Sequence, residues 1–266
     1  MSTTPKLLVT LEDRIKRITF NRPERRNSVD FEMFALLADA MREAAADDSR
    51  VVVLTGAGDS FCAGADLLAA GAGDISGFDV TAHLREHTTP AILAMRQLDK
   101  PVIARVHGHA VGIGFSYALA CDIVVASEQS VFGMGFIKIG LMPDGGSTYT
   151  LPQRVGYHKA FELMTTGQQI DAREAHRLGL VNRLVASPEE LDDAVNRLAS
   201  GLARAPQPAL AKIKRALNRT TQTDLADALE HEAQNQHDCF HSPDFLEGVA
   251  AFMQKRAPDF GRTPKQ

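Results

Sequence analysis

Two short hydrophobic runs, each followed by a glycine-rich stretch, form the clearest pattern along the chain. The first run, Arg50–Thr55, precedes the segment Phe61–Leu67 (FCAGADL). The second run, Pro101–Val106, precedes a turn with three glycines and then the compact apolar segment Ile113–Ala120. β-Branched apolar runs of this length are typical of buried strands, and the segment after the turn has helical spacing. The pattern therefore predicts two buried strands that lead into glycine-rich loops, the second of which starts a helix.

Strand and helix patterns alternate along the rest of the first 186 residues. Phe31–Ala46 has one apolar face and predicts a helix with Asp30 as its N-cap. His83–Leu98 predicts a helix that Pro90 must start, kink or split. Leu68–Val80 predicts a loop. The remaining predicted elements are strands at Leu7–Thr10, Ile15–Phe20, Ile123–Ala126, Val131–Phe132 and Val181–Val185, and helices at Tyr157–Thr165 and Ala172–Leu178.

The character of the chain changes after Pro188, where only helical patterns remain. Proline, Thr/Gln and Ser-Pro breaks separate four amphipathic segments. These predicted helices are Leu191–Ala203, Ala209–Asn218, Leu225–Asn235 and Pro243–Lys255. We therefore predict a boundary near Ala186, between an α/β core over residues 1–186 and a helical region over residues 187–266.

Composition narrows the possible functions. The chain has 266 residues, 44% of them hydrophobic, and a formal net charge of −4. Because its basic residues are scattered and the balance is acidic, we expect no nucleic acid partner. Its three cysteines show no metal-type spacing, so we expect no metal site and a reducing, cytoplasmic location. No segment has the about 20 apolar residues of a membrane span, so we expect no membrane association.

The two glycine-rich loops are suited to the same chemical role. Glycine lets the backbone approach a ligand closely, and a helix start presents unpaired N–H groups. Such groups stabilise an oxygen that becomes negatively charged during a reaction. Two loops of this kind, each following a buried strand, predict a two-donor oxyanion hole. Ordinary tight turns are the alternative interpretation.

Six segments in order make the chain resemble the enoyl-CoA hydratase/isomerase (crotonase) superfamily, over roughly residues 8–260. This resemblance implies an α/β fold, a crotonase-like spiral of β-β-α units with a helical C-terminal region. It also implies an acyl-CoA thioester substrate, no cofactor beyond the coenzyme A of that substrate, and a homotrimer or dimer of trimers. The six segments are Asn21–Val29, Phe61–Leu67, Lys100–Gly114, Cys121–Ser127, Phe132–Gly156 and Glu247–Arg256.

The resemblance assigns the two oxyanion donors and exposes a departure from the family's hydratases. The donors are the backbone N–H groups of Ala65 and Ile113. Hydratases of the family place one glutamate in the helix after the glycine turn and another in the next loop. Here these positions hold Ser116 and Phe136. A serine and a phenylalanine cannot supply the acid and base that water addition requires.

One carboxylate lies nearby in the sequence, at Asp144 in the segment LMPDGGST. Its position resembles that of the single aspartate in the phenylacetate-degradation-type isomerases and in the 4-chlorobenzoyl-CoA dehalogenases. The surrounding residues follow the isomerase branch, and the chain has no tryptophan of the kind found in the dehalogenase pocket. An apolar pocket would raise the pKa of Asp144 towards a value useful for proton transfer. Alternatively, Asp144 only orders its own turn.

The resemblance also predicts the residues that bind the substrate. Arg25, Arg26 and the Ala63 backbone are expected to contact coenzyme A, with Phe252 and Lys255 reaching it from a neighbouring subunit. Ser116 and Phe136 are expected to line the acyl pocket. Ser116 and Tyr117 are adjacent on one helix and point in different directions, so at most one should face the pocket, and Ser116 is favoured for that position. His109, Glu86, His87 and Cys62 are weaker candidates whose structural interpretations are preferred, and Asp66 is expected to cap or brace its turn.

These observations predict an enoyl-CoA isomerase with Asp144 as proton shuttle. Two alternatives stay open. One is an enoyl-CoA hydratase or another enolate-using lyase with non-standard acid/base residues. The other is a protein that binds CoA thioesters without turnover.

Overall fold

A large, mainly parallel sheet forms the centre of the fold. The computed structural model describes residues 4–66 and 77–260. The strands of this sheet run in the order β1-β2-β3-β4-β6-β9, and all neighbours are parallel except the antiparallel hairpin β1-β2. Its strands are β1 (Leu7–Glu12), β2 (Ile15–Phe20), β3 (Val51–Gly56), β4 (Val102–Val106), β6 (Ile123–Ser127) and β9 (Arg183–Val185).

A second, smaller sheet is connected to the first, because strands of the large sheet continue into strands of the small one. It contains β5 (His109–Val111), β7 (Val131–Gly133) and β8 (Gln169–Asp171), in the order β5-β7-β8. β4 continues into β5 and β6 into β7, so these two turns of the chain each add one strand to each sheet before a helix follows. The isolated bridges Val29↔Ala65 and Cys62↔Ala110 extend the smaller layer. This arrangement confirms the predicted spiral of β-β-α units.

The described residues contain ten α-helices, most of them between strands in the first part of the chain. Two short 3₁₀ turns, Pro23–Arg25 and Gly135–Ile139, accompany them. The helices are α1 (Phe31–Ala46), α2 (Val80–His83), α3 (Thr89–Gln97), α4 (Ile113–Ala120), α5 (Ser147–Thr166), α6 (Ala172–Arg177), α7 (Pro188–Ala203), α8 (Gln207–Arg219), α9 (Leu225–Phe240) and α10 (Pro243–Met253).

The main core lies on the face of the large sheet that α1, α3 and α4 cover. Asp30 caps α1 by accepting the N–H of Met33 at 3.1 Å, as the sequence predicts. One face of α1, including Leu37, is buried against the sheet. All eight residues of α4 are buried, so this helix lies inside the core and presents no face to solvent. A helix that is apolar all round is expected at such a position.

The helical C-terminal region begins by covering the opposite face of the large sheet. Leu191 and Val195 of α7 pack against Val53 and Ile103 in a second buried cluster. α8 is joined to the core by Lys214, whose ammonium group donates to Asp122 at 2.7 Å and to two backbone carbonyls. The four predicted helices are confirmed as α7–α10.

Two helical predictions concern a break in a helix. Pro90 is predicted to start, kink or split the helix from His83, and it lies in the first turn of α3, after the π-helical turn Leu84–Thr88. Within α5, Gly156 adopts φ 76°, ψ 167° and kinks the helix, so the predicted helix from Tyr157 follows this kink and a further helical segment precedes it. The predicted loop Leu68–Val80 lies largely outside the described residues. No described helix has both the length and the hydropathy that a membrane span requires.

Candidate active site

The loop that carries Ala65 is held by the segment after β2. The N–H of Val29 donates to the Gly64 carbonyl at 2.8 Å, and the Val29 carbonyl accepts the N–H of Asp66 at 2.9 Å. In a parallel bridge these two bonds flank the opposite residue, so the N–H of Ala65 points away from Val29. Ala65 itself is exposed. The first predicted donor is therefore fixed in a defined orientation at an accessible position.

An ion pair between Arg22 and Asp66 holds the loop that carries Ala65. Arg22 donates to Asp66 at 2.7 Å and to the Ser28 carbonyl at 2.7 Å. Both side chains are mostly buried, with 15% of Arg22 and 8% of Asp66 exposed. The prediction that Asp66 braces its turn is confirmed. Its partner was not predicted, because an Asn-Arg-Pro sequence does not show which carboxylate, 44 residues later, its arginine will meet.

The second predicted donor lies at the start of α4. Gly112 precedes this helix with φ 58°, and its carbonyl accepts the N–H groups of Phe115 and Ser116. The Gly112 N–H is already bonded to Gly133 at 2.9 Å. Ile113 is the first helical residue, so its N–H has no carbonyl in a preceding turn to bind. The helix dipole also favours negative charge at this end.

Glycines bring the two donor loops into direct contact. A Cβ on Gly112 would lie 3.7 Å from the Gly64 Cα, and one on Gly114 would lie only 2.3 Å from the Cys62 carbonyl oxygen. A side chain at position 114 would therefore separate α4 from the first loop. Ala65 and Ile113 each follow one of the contacting glycines, so the structure places the two predicted donors side by side.

Asp144 lies in the turn before α5 and is held by its own backbone. Its carbonyl accepts the hydroxyls of Ser116 at 3.0 Å and Ser147 at 2.8 Å. The next residue, Gly145, has φ 60°, and a Cβ there would lie 2.5 Å from the Ile113 side chain. The Pro-Asp-Gly-Gly turn therefore packs on the first turn of α4. This contact places Asp144 beside the second donor.

The Asp144 carboxyl group is unlike an ordinary surface aspartate. Its Oδ1 atom is buried and has no hydrogen-bond partner among the described residues. Desolvation by burial raises the pKa of the carboxyl from 3.8 to about 6. The predicted upward shift of the pKa is confirmed. The Asp144 carbonyl oxygen makes the bonds that hold this turn, so the alternative in which Asp144 orders its own turn stays open.

Ser116 and Phe136 are the residues that, by the resemblance described above, stand where hydratases of the family have glutamates. Ser116 is fully buried, and its hydroxyl also lies 3.4 Å from the Gly112 carbonyl. The ring of Phe136 lies about 4 Å from the position of a Cβ on Gly112 and is 8% exposed. The space beside the second donor is thus bordered by a phenyl ring and a hydroxyl that binds the Asp144 turn. Their predicted role as pocket residues stays a prediction.

The weaker candidates behave mainly as structural groups. Burial raises the pKa of the Cys62 thiol to about 12, so this thiol is protonated and unreactive at neutral pH. His107 contacts the Gly58 carbonyl at 2.8 Å, and burial followed by the Arg105 charge lowers the pKa of this histidine. His109 lies 3.3 Å from the Ser60 hydroxyl. The structural interpretation of Cys62 is confirmed.

The predicted coenzyme A residues fall into two groups. Arg25 and Arg26 are exposed, and the Arg26 carbonyl accepts the N–H of Ala63 at 3.0 Å. These three residues therefore lie together, next to the first donor loop. Phe252, 85% exposed, and Lys255 lie at the end of α10, which packs against α9. The prediction that they reach coenzyme A from a neighbouring subunit stays a prediction.

One further feature of the site has no signal in the sequence. Tyr117, the next residue after Ser116, is fully buried in α4, and its hydroxyl has no hydrogen-bond partner within the described part of the chain. Sequence reasoning favoured Ser116 as the polar group facing the acyl pocket. The structure shows that the Ser116 hydroxyl is bound to a carbonyl, whereas that of Tyr117 is not. Because α4 is buried all round, no polar face in the sequence distinguishes the two.

Adjoining backbone donors beside one desolvated carboxyl group define a class of site. Such a site can stabilise a developing oxyanion and can exchange a proton with the same molecule. Comparison with known families agrees with this class. Residues 10–263 match the family model described as enoyl-CoA hydratase/isomerase. The chain belongs to this family and is an enzyme of the crotonase fold, whose members act on acyl-CoA thioesters.

Individual relatives carry both isomerase and hydratase names. The chain is 38% identical over 257 residues to 1,2-epoxyphenylacetyl-CoA isomerase of Escherichia coli (strain K12), covering 96% of this chain and 97% of that protein. It is 37% identical over 257 residues to 2,3-dehydroadipyl-CoA hydratase of the same strain, covering 96% and 98%. The solved structure of an enoyl-CoA hydratase from Polaromonas sp. JS666 superposes with a TM-score of 0.90 at 37% identity, covering 96% of this chain and 99% of that one.

Proposed function

We propose that this enzyme is an enoyl-CoA double-bond isomerase in which Asp144 carries the proton. The observation that supports this proposal is the state of the Asp144 carboxyl group. It is desolvated, its Oδ1 has no partner among the described residues, and its pKa is raised to about 6. A base of this kind is ionised at neutral pH and is readily protonated during a reaction.

A double-bond shift requires one base rather than two. Asp144 removes a proton from C2 or C4 of the enoyl chain, and the electron pair of that C–H bond moves into the conjugated system. The negative charge then lies on the thioester oxygen, where the N–H groups of Ala65 and Ile113 would hold it. The carboxylic acid, whose proton exchanges with solvent, then donates a proton to the other end of the system. The base and the substrate thus regain their charges, and no water is consumed.

The two positions without glutamate support isomerisation over hydration. Water addition needs one group to activate water and another to protonate the substrate. Ser116 donates its hydroxyl to a backbone carbonyl, and Phe136 has no ionisable group. Asp144 lies in the turn that packs on the first turn of α4, and one carboxylate suffices for a 1,3-proton shift.

The proposal extends to the remainder of the substrate. Arg25 and Arg26 would bind phosphates of coenzyme A beside the Ala63 backbone. Lys255 and Phe252 would contact the nucleotide end from a neighbouring subunit, as a point charge and an apolar surface respectively. Their exposure in a single chain is consistent with a homotrimer, or a dimer of trimers, in which α10 meets the next subunit.

The test is deuterium exchange followed by NMR in D₂O. Wild-type protein and Asp144→Asn are compared with a panel of 2-enoyl-, 3-enoyl- and aromatic acyl-CoA thioesters. We expect double-bond migration with deuterium uptake in the wild type and at least a ~100-fold lower rate in Asp144→Asn, the usual effect of losing a general base. Asp99→Asn is the matched control, because Asp99 pairs with Arg215 in the C-terminal region and should leave the rate unchanged.

Other outcomes would contradict the proposal in distinct ways. Exchange that persists in Asp144→Asn would remove Asp144 from its role and direct attention to His109 and Glu86. Incorporation of ¹⁸O from labelled water into the product would identify a hydratase instead. Binding of acyl-CoA thioesters without any exchange or hydration would identify a protein that binds them without turnover.

A further inference from the structure

Tyr117 has a buried hydroxyl that the proposed reaction does not use. Its ring stacks on Phe20, with centroids 5.8 Å apart and planes at 28°, and lies 6.4 Å from the ring of Phe34. The residue is 0% exposed, and its hydroxyl has no hydrogen-bond partner among the described residues. Buried hydroxyls are nearly always bonded, because leaving one unpaired loses the hydration it had in water. An unpaired hydroxyl in such a place is available to a partner that binds from outside the chain.

The position of Tyr117 on α4 relates its hydroxyl to the proposed reaction centre. Tyr117 follows Ile113 by four residues, so the two side chains lie on one face of α4. Long helical side chains lean towards the helix N-terminus, which here is the oxyanion end. Burial, together with the nearby Cys62 and Asp144 groups, raises the pKa of the tyrosine well above its usual range. The hydroxyl is therefore protonated and lies within electrostatic reach of both the first donor loop and the base.

The neighbouring polar groups do not serve as its partner. The Ser116 hydroxyl binds the Asp144 carbonyl, and Oδ1 of Asp144 is itself unpaired within the described residues. The rings around Tyr117 are phenylalanines, which can neither donate nor accept a conventional hydrogen bond. A hydrocarbon acyl chain in this region would leave the hydroxyl unpaired. An acyl group with an oxygen atom would give it an acceptor.

We propose that the Tyr117 hydroxyl donates a hydrogen bond to an oxygen atom in the acyl group of the substrate, so that the enzyme selects oxygenated acyl-CoA thioesters over hydrocarbon ones. Ketone, hydroxyl and cyclic ether oxygens share the necessary acceptor chemistry. This inference rests on the proposed function, because it places the acyl group between the donor loops and Asp144. Sites built to bond a polar substrate group reject analogues without it, since their own polar group is then unpaired.

The test measures binding rather than turnover. Hexanoyl-CoA and its 4-oxo, 5-oxo and 6-hydroxy derivatives are saturated at C2–C3, so they bind without isomerising. Isothermal titration gives their Kd values for the wild type, Tyr117→Phe and the control Thr150→Val. Thr150 has another buried, unpaired hydroxyl, but it lies on α5 near the far end of α4, where Arg154 joins its carbonyl to that of Leu119.

We expect the wild type to bind at least one oxygenated thioester about 10-fold more tightly than hexanoyl-CoA. Tyr117→Phe should abolish this preference without weakening hexanoyl-CoA binding, whereas Thr150→Val should retain it. The melting temperature of Tyr117→Phe should equal or exceed that of the wild type, because the ring remains and only an unpaired hydroxyl is lost. This readout verifies that the variant folds.

Failure of this inference can be told from failure of the proposed function. Wild-type protein that binds all four thioesters equally would overturn the role of Tyr117 and leave the isomerase proposal standing. Equal weakening of every thioester in Tyr117→Phe would also overturn it, since that result indicates a packing role. A retained preference with no proton exchange would overturn only the isomerase. No binding of any acyl-CoA thioester would overturn both.

Discussion

Replacement of Asp144 by asparagine should stabilise the protein, and by more at higher pH. The folded state raises the pKa of Asp144 from 3.8 to about 6, because ionisation would place a charge in a desolvated position. Between these values the folded chain binds more protons at this residue than the unfolded chain does. Stability therefore falls as the pH rises through this window. Each unit of pKa corresponds to ~1.4 kcal/mol, so the ionised carboxyl costs about 3 kcal/mol at neutral pH.

The measurement is the free energy of unfolding in urea at pH 5 and pH 7.5, at one protein concentration. At pH 5 the wild-type carboxyl is mostly protonated in the folded state, and the cost is about half developed. The advantage of Asp144→Asn over wild type should therefore grow by about 1.4 kcal/mol between the two pH values. Effects of the amide that do not depend on pH cancel in this comparison.

Asp47→Asn is the matched control because its carboxyl has the opposite behaviour. Burial alone would raise the pKa of Asp47, but hydrogen bonds from Ser49 and Lys16 hold it well below its usual range. Its stabilising effect is therefore lost only at pH values below about 4. The difference between Asp47→Asn and wild type should stay constant from pH 5 to 7.5. If Asp144→Asn behaved in the same way, the reasoning about a desolvated base would be wrong.

Three further outcomes follow from the same geometry. The kcat/KM of the isomerase reaction should fall about 10-fold per pH unit below pH 6, because only ionised Asp144 accepts a proton; a profile flat down to pH 5 would contradict this. Arg22→Lys should lower kcat ~10-fold with little change in KM, because it loosens the Asp66 loop and displaces one oxyanion donor. Complete loss of such a donor lowers kcat by more than this. A change in KM alone would instead indicate a role in substrate binding. Gly114→Ala should lower the free energy of unfolding by at least ~2 kcal/mol, since its Cβ would overlap the Cys62 carbonyl; urea unfolding at the wild-type level would show that α4 can shift.

Much of this architecture could be predicted because it depends on local patterns. Apolar runs and glycine turns predict β3, β4 and the start of α4, and Asp30 is recognisable as a cap from its place before an amphipathic helix. In each case the residues that decide the structure lie within one or two turns of each other along the chain.

Features that depend on distant parts of the chain could not be predicted in the same way. The three-residue strand β8 pairs with β7 from 36 residues away, and too few residues alternate in it to give a pattern. The bond from Ser116 to the Asp144 carbonyl joins residues 28 positions apart. The unpaired hydroxyl of Tyr117 is a property of the packed core, since only the complete surroundings show that nothing binds it within the described residues.

The serine at position 116 and the proposed role of Asp144 as a base depend on each other. Ser116 donates its hydroxyl to the Asp144 carbonyl, and this bond holds the turn against the first turns of α4. An ionised glutamate at position 116 has no proton to donate to that carbonyl. Its charge would also lie beside the Asp144 turn, and two carboxylates that share a buried site raise the pKa of one of them strongly. The proposed base would then stay protonated at neutral pH. A hydroxyl at position 116 thus both holds the turn and leaves the carboxyl of Asp144 free to ionise.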